Sequence, residues 1–157
     1  MPLHTPFLKD YQDHKADGTN SFTYSRFLVP YLQGFQGFAI FADGADMLCR
    51  ADIAELWDMR DPLKAVQVVK HDYTTCEPRK YVGTQMEAPN SSYPRKNWSS
   101  LMLFNCSYPM HNRLTPQYIA QTSGTLLHRL SWLDDSKIGE LPKEWNWLDE
   151  YGRNDQS

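Results

Sequence analysis

Short apolar runs, separated by polar and turn-forming residues, recur along the chain and predict strands. Residues 38–42 are apolar and have a glycine close to each end, a pattern typical of a buried strand in a central position of a sheet. Similar runs predict further strands at 65–69, 99–105 and 137–141. We expect the first three runs to be adjacent strands of one sheet.

Capping residues and helical spacing predict helices between these strands. A hydroxyl at the start of the segment 21–30 is placed to cap a short helix, which the proline at position 30 should end. Asp52 is placed to cap a helix over 52–59, and a Thr-Pro pair opens one over 115–121. Another short helix is predicted at 126–133. Strands that alternate with helices indicate the α/β class.

The length and the charge balance limit the kinds of protein that this chain represents. Its 157 residues are sized for one domain, which we divide into a polar arm (1–20), a core (21–147) and a polar tail (148–157). The 16 Lys and Arg against 19 Asp and Glu give a net charge of -3, which argues against a nucleic-acid partner. The longest apolar stretch, 35–42, is far shorter than the roughly 20 residues of a membrane-spanning helix, so we expect no membrane span.

The expected compartment follows from the start of the chain and from its cysteines. No charged-then-apolar segment opens the sequence, so nothing indicates export. The 3 cysteines are odd in number and widely spaced, which fits a reducing compartment better than a disulfide framework. We therefore expect a cytoplasmic protein.

Two acids directly follow the first predicted strand. Asp43 and Asp46 are separated by Gly44 and Ala45, and the carboxyl edge of an α/β sheet is where such proteins bind ligands. Two close carboxylates repel each other unless a cation lies between them, and oxygen ligands suit Mg²⁺ or Mn²⁺. The alternative is a tight Asp-Gly turn whose acids only cap the next helix.

An ordered series of segments resembles the GT-A nucleotide-sugar glycosyltransferases, specifically the family 8-like group and its bacteriophage and bacterial relatives. The resemblance spans about residues 21–146, and the matching segments read TYSRFLVP at 23–30, FADGADML at 41–48, NWSSLMLFN at 97–105 and LPKEWN at 141–146. It implies an incomplete GT-A-like mixed sheet flanked by helices. The usual acidic motif is Asp-x-Asp, whereas two residues separate the acids here. The family's amino-terminal nucleotide-binding half and its late His-x-x-Gly-type motif are not recognisable in this sequence.

The same resemblance assigns roles to residues near the acidic motif. Asp46 would bind the divalent ion that bridges the donor diphosphate, and Asp43 would contact that ion or the ribose. Tyr24 and Arg26 match the family's helix before the strand and would contribute to nucleotide-sugar binding. For Arg26 the alternative is an ordinary surface arginine beside a carboxylate.

Further candidate residues lie later in the chain. Ser99 and Ser100 would line the donor sugar pocket, with plain strand packing as the alternative. Lys96 would contact a phosphate or the acceptor unless its loop is only solvated. His128 would act beside the sugar as a catalytic residue, or it is a structural histidine. His71 precedes Asp72 and could present an imidazole with a carboxylate partner, but no nucleophile motif accompanies the pair.

These observations lead to two hypotheses for function. The first is a metal-dependent glycosyltransferase core that moves a sugar from a nucleoside diphosphate to a hydroxyl of a glycan or another acceptor. The second is a catalytically inactive remnant that acts as a binding or assembly module. A carboxylate-pair hydrolase is disfavoured because both acids lie on one turn. Without the amino-terminal half, the sheet should keep an unpaired edge or an exposed apolar face, which predicts a homodimer. The alternative is that residues 1–20 fold back and cover this surface.

Overall fold

The computed structural model describes residues 21–44, 47–72, 79–80, 82–83, 88–89 and 94–148. Six strands lie in these ranges: β1 (Phe38–Ala42), β2 (Val66–Val68), β3 (Arg79–Lys80), β4 (Ala88–Pro89), β5 (Leu101–Asn105) and β6 (Ile138–Glu140). The α-helices are α1 (Ser21–Tyr24), α2 (Val29–Leu32), α3 (Ile53–Asp58), α4 (Pro116–Gln121) and α5 (Gly124–His128). Short 3₁₀ helices span Ser25–Leu28, Trp98–Ser100, Pro109–Arg113, Asp135–Lys137 and Lys143–Asn146. The protein is therefore a mixed α/β fold.

A four-stranded mixed sheet organises the fold, in the order β1-β5-β2-β6. β5 pairs antiparallel with both β1 and β2, and β2 pairs parallel with β6. β3 and β4 form a separate antiparallel pair. The prediction that the first three apolar runs belong to one sheet is confirmed, with β5 between β1 and β2.

The sequence predicts a central position for the strand at 38–42, but in the sheet that the described residues form, β5 lies between two neighbours and β1 does not. Within the described part of the chain, β1 pairs on one side only, and its residues are half-buried or exposed. Every residue of β5 is buried. Both strands are short apolar runs, so hydrophobicity alone does not distinguish the central position from the outer one. Self-association through the outer edge of β1 remains a prediction.

The first predicted helix is instead a succession of short turns, and Pro30 does not end it. Pro30 occupies the first turn of α2, where its missing N–H costs no hydrogen bond. The chain leaves this segment through Gly34, which has a φ of +60°. The helix predicted at 126–133 ends earlier, at His128, and Leu130 adopts a left-handed conformation with φ 52°. The predicted third strand begins two residues late because Ser99 and Ser100 belong to a 3₁₀ turn.

Apolar side chains cover both faces of the sheet. Met102 and Phe104 of β5 point into the main core, whereas Leu101 and Leu103 belong to a smaller second cluster, as the two-residue period of a strand requires. The main core also holds these side chains from the flanking turns and helices: Tyr24, Phe27, Leu28, Ile119 and Leu127. Leu56 of α3 belongs to the second cluster. None of the described helices is both long and apolar enough to cross a membrane.

Candidate functional site

One end of the sheet gathers the polar residues that the sequence singles out. β1 and β2 run antiparallel to β5, and β6 runs parallel to β2. The carboxyl ends of β1, β2 and β6 therefore lie beside the start of β5. The 3₁₀ turn Trp98–Ser100, called the site turn below, leads into β5 at this end.

Arg26 links the first helical segment to the end of β1. Its Nη2 atom lies 2.6 Å from Oδ2 of Asp43, and its Nη1 atom donates to the backbone oxygen of Ser99 at 3.0 Å. Its Nε atom donates to the backbone oxygen of Thr23 at 3.0 Å, and the guanidinium lies 5.2 Å from the ring centroid of Phe41. The side chain of Arg26 is 8% exposed and that of Asp43 29% exposed. A buried cation thus fixes a carboxylate that solvent still reaches.

The site turn receives bonds from both members of this ion pair. The backbone N–H of Asp43 donates to the backbone oxygen of Ser100 at 2.9 Å, next to the Ser99 carbonyl that accepts from Arg26. Asn97, which precedes the turn, has a φ of 64°, a left-handed conformation that asparagine tolerates better than most residues. The turn therefore sets the position of Arg26 and Asp43 relative to β5.

His128 approaches the site turn from the end of α5. Its Nδ1 atom lies 2.6 Å from Oγ of the buried Ser99. Its ring packs edge-on against Phe27, with 5.4 Å between the ring centroids. Two contacts of different kinds thus fix the orientation of the imidazole.

A second polar group lies on the other side of the site turn, around Asn146. The Nδ2 atom of this buried side chain lies 2.8 Å from Oγ of Ser100 and 3.0 Å from Nε2 of His71. The hydroxyl of Ser100 donates to the backbone oxygen of Asn97 at 2.8 Å. Burial lowers the pKa of His71, which favours the neutral ring that can accept a hydrogen bond from an amide.

Most residues predicted to bind or act on a donor converge around the site turn. Arg26, Asp43, Ser99, Ser100 and His128 come from four separate segments and are joined by the contacts above. The contacts of Ser99 and Ser100 go beyond the plain strand packing that was their alternative.

Of the three other predicted site residues, two are buried and one lies outside the described residues. Tyr24 is fully buried in the main core, so contact with a ligand would need a rearrangement of that core. Lys96 is 8% exposed, so its side chain is not simply solvated. Asp46 lies outside the described residues.

Two side chains have partners that the sequence did not reveal. His71 contacts the Nδ2 atom of Asn146, and Asp72 is exposed. Arg95 donates to the backbone oxygens of Arg129 and Leu130 and to the carboxylate of Asp135. The signal for Asn146 was present, because it ends the matching segment 141–146, but a sequence pattern does not reveal its partner.

The described residues do not by themselves make up a metal centre. They contain no group of three or more His, Cys, Asp or Glu side chains that could hold an ion. Asp43 supplies one carboxylate, and its Oδ2 atom already accepts from Arg26. A divalent ion at this edge would therefore need Asp46 as well as oxygens from its ligand.

The fold and the site define a mixed α/β protein with a polar, partly exposed site at one end of its sheet. The chain is similar to Protein CDI from Arabidopsis thaliana, with 44% identity over 135 residues. These residues are 86% of this chain and 50% of the relative, so the chain spans about half of that protein's length. No family model matches the chain, and no solved structure matches it.

Proposed function

We propose that the chain forms the donor-binding core of a glycosyltransferase that moves a sugar from a nucleoside diphosphate to an acceptor hydroxyl. The observation that supports this proposal best is the meeting of Arg26, Asp43, Ser99 and His128 around the site turn. The resemblance to GT-A enzymes implies a donor-binding or catalytic role for all four. Unrelated structural roles would not require residues from separate segments to meet at one end of the sheet.

Each of these side chains has a role that its environment suits. Arg26 orients the Asp43 carboxylate, which would face the ribose or a metal ion. Ser99 and Phe27 hold the imidazole of His128 in one orientation, as a group acting next to the transferred sugar requires. Ser100, half-buried beside Ser99, would accept a hydrogen bond from a sugar hydroxyl, because its own proton is donated to the backbone oxygen of Asn97.

A divalent ion, Mn²⁺ or Mg²⁺, belongs to this proposal as the partner of the acids. Asp43 and Asp46 would hold it, together with oxygens of the diphosphate. When bound, such an ion neutralises charge that develops on a diphosphate leaving group. Arg26 would then keep Asp43 from moving when the ion and the donor arrive.

A second candidate is a catalytically inactive binding or assembly module. The ion pair between Arg26 and Asp43 favours it, because the arginine already satisfies part of the charge that a metal would otherwise balance. In this case the site turn would be a structural junction. The two candidates differ in whether nucleotide binding depends on a metal ion and on Asp43.

Calorimetric titration with uridine and guanosine diphosphates, with and without Mn²⁺, tests the proposal. The wild-type protein should bind one of the two nucleotides, and this binding should require Mn²⁺. Asp43→Asn should abolish most of it. Asp61→Asn is a matched control, because Asp61 precedes β2 at the opposite end of the sheet and its oxygen still accepts from the N–H of Leu63. No metal-dependent binding in the wild-type protein would overturn the first candidate and support the second.

A further inference from the structure

The site turn is held from two sides, by Arg26 and Asp43 on one side and by Asn146 on the other. On the first side, Arg26 and the backbone of Asp43 bond the carbonyls of Ser99 and Ser100. On the other side, Asn146 contacts the hydroxyl of Ser100 and lies 3.5 Å from the backbone oxygen of Asn97. Asn146 therefore touches the last residue of the turn and the residue that precedes the turn.

The chemistry of these contacts requires an amide at position 146. An NH₂ group carries two donors and no acceptor, and its two near neighbours are the Ser100 hydroxyl and the His71 ring nitrogen, with the Asn97 carbonyl farther away at 3.5 Å. Because the Ser100 hydroxyl uses its proton on Asn97, its oxygen can accept from Asn146. Nε2 of His71 must likewise accept, so the ring is neutral with its proton on Nδ1. A carboxylate at position 146 would have no donor for the Asn97 carbonyl, and it would keep its other two contacts only if Ser100 and His71 turned their protons toward it.

We infer that Asn146, braced by His71, is a positioning residue that holds the site turn in the conformation that presents Arg26 and Asp43 to a nucleotide sugar. The inference rests on the proposed function for its ligand, but its structural part stands without that ligand. Asn146 is 4% exposed and acts through Ser100 and Asn97. It extends the site to the last 3₁₀ turn of the described chain, Lys143–Asn146, which lies 46 positions beyond Ser100 in the sequence.

Hydrogen exchange of the Asp43 amide tests the structural part, because this N–H donates to the carbonyl of Ser100. Asn146→Ala should speed its exchange about tenfold, the effect of losing one or two hydrogen bonds that brace the turn. Asn146→Asp preserves the size of the side chain and should speed the exchange at least as much. It takes the place of the alanine variant if that protein does not fold. Nitrogen-15 spectra should also show the wild-type His71 ring protonated on Nδ1, and Asn146→Asp should shift its proton to Nε2.

Asn105→Ala is the matched control. Asn105 is also a buried asparagine, 8% exposed, and its amide donates to the backbone oxygen of Pro62 at the far end of β5. The control should lose stability without changing the exchange of the Asp43 amide. Equal acceleration in both variants, or none in Asn146→Ala and Asn146→Asp, would overturn the inference.

Nucleotide titration separates this inference from the proposed function. If the wild-type protein binds a nucleoside diphosphate with Mn²⁺, the Asn146 variants should bind it about tenfold more weakly than Asn105→Ala does. Equal affinity in the Asn146 and Asn105 variants would overturn the ligand part of the inference. If the wild-type protein binds neither nucleotide, the proposed function fails, and hydrogen exchange alone decides whether Asn146 positions the turn.

Discussion

The protein contains two networks of buried polar side chains, one enclosed within the core and one that reaches the surface. One surrounds His111 in the main core, where Nε2 lies 2.8 Å from the backbone oxygen of Ala65 and Nδ1 accepts from the indole of Trp132 at 3.3 Å. The other surrounds the site turn and runs from Asn146 through Ser100 to Asp43. The first is enclosed by aromatic rings, and the ring centroid of Phe104 lies 5.5 Å from that of His111. The second reaches the carboxylate of Asp43, whose side chain is 29% exposed.

This difference separates a structural histidine from histidines in a candidate site. His111 has both ring nitrogens paired within the core, and its side chain is completely buried, so it has no surface for a ligand. His71 and His128 each contact a residue of the site turn or one that braces it. Buried polar atoms alone therefore do not mark a site, but a network that connects several chain segments to the surface is a better indicator of one.

The largest effect is expected from Arg26→Ala. It removes the buried partner of Asp43 and leaves the Ser99 carbonyl without its donor, so the free energy of unfolding should fall by about 3 kcal/mol. Urea denaturation measures this loss. Asp43→Asn keeps an oxygen that accepts from Arg26 and should cost about 1 kcal/mol. An Arg26→Ala protein as stable as the wild type would show that the ion pair does not hold the two segments together.

His111→Ala should destabilise the core without affecting the site. The change leaves the Trp132 indole N–H unpaired and removes one of the two donors to the Ala65 carbonyl, which should lower the free energy of unfolding by about 2 kcal/mol. Nucleotide affinity measured below the unfolding transition should not change. If His111→Ala weakened nucleotide binding as much as Asn146→Ala, the distinction between the two networks would be wrong.

Acid should weaken both networks, and the sign follows from burial. Burial lowers the pKa of His71 and of His111 below the usual value of 6.5. Each histidine therefore binds a proton more readily in the unfolded state than in the folded state. Their contribution to stability is complete above pH 6.5 and is lost as the pH falls from there through the folded-state pKa. We expect the unfolding free energy to drop by about 1 kcal/mol per pH unit for each histidine in that range. In His111→Phe the slope should be shallower, and an unchanged slope would contradict the assignment.

The smallest effect is a difference in cysteine labelling. Burial raises the pKa of the Cys106 thiol to about 11, whereas Cys49 is exposed. At pH 8, iodoacetamide should modify Cys49 and spare Cys106 until the protein is denatured, as peptide mass spectrometry can show. His111→Ala should speed labelling of Cys106. His111 and the backbone N–H of Asn105, the residue before Cys106, both bond the backbone oxygen of Ala65. Asn146→Ala should leave that labelling slow.

The sequence by itself determined the local elements of this protein. Asp52 caps α3 by accepting from the N–H of Ala54 at 2.9 Å, and Thr115 caps α4 by accepting from Tyr118, as their positions predicted. The apolar runs also formed strands, because a run of apolar residues between turns is a property of neighbouring residues. The same local reasoning located the acids after β1, but it placed Ser99 and Ser100 inside the third strand rather than in the turn that precedes β5.

Only the tertiary structure decided how these elements and side chains meet. It placed β5 rather than β1 between two described neighbours, although both strands are apolar, because the choice depends on which surfaces the whole chain covers. It also paired Asn146 with His71, 75 positions apart, and gave His111 a structural role through Ala65 and Trp132. A buried polar atom must find a partner from wherever the folded chain brings one, and that partner has no fixed distance along the sequence.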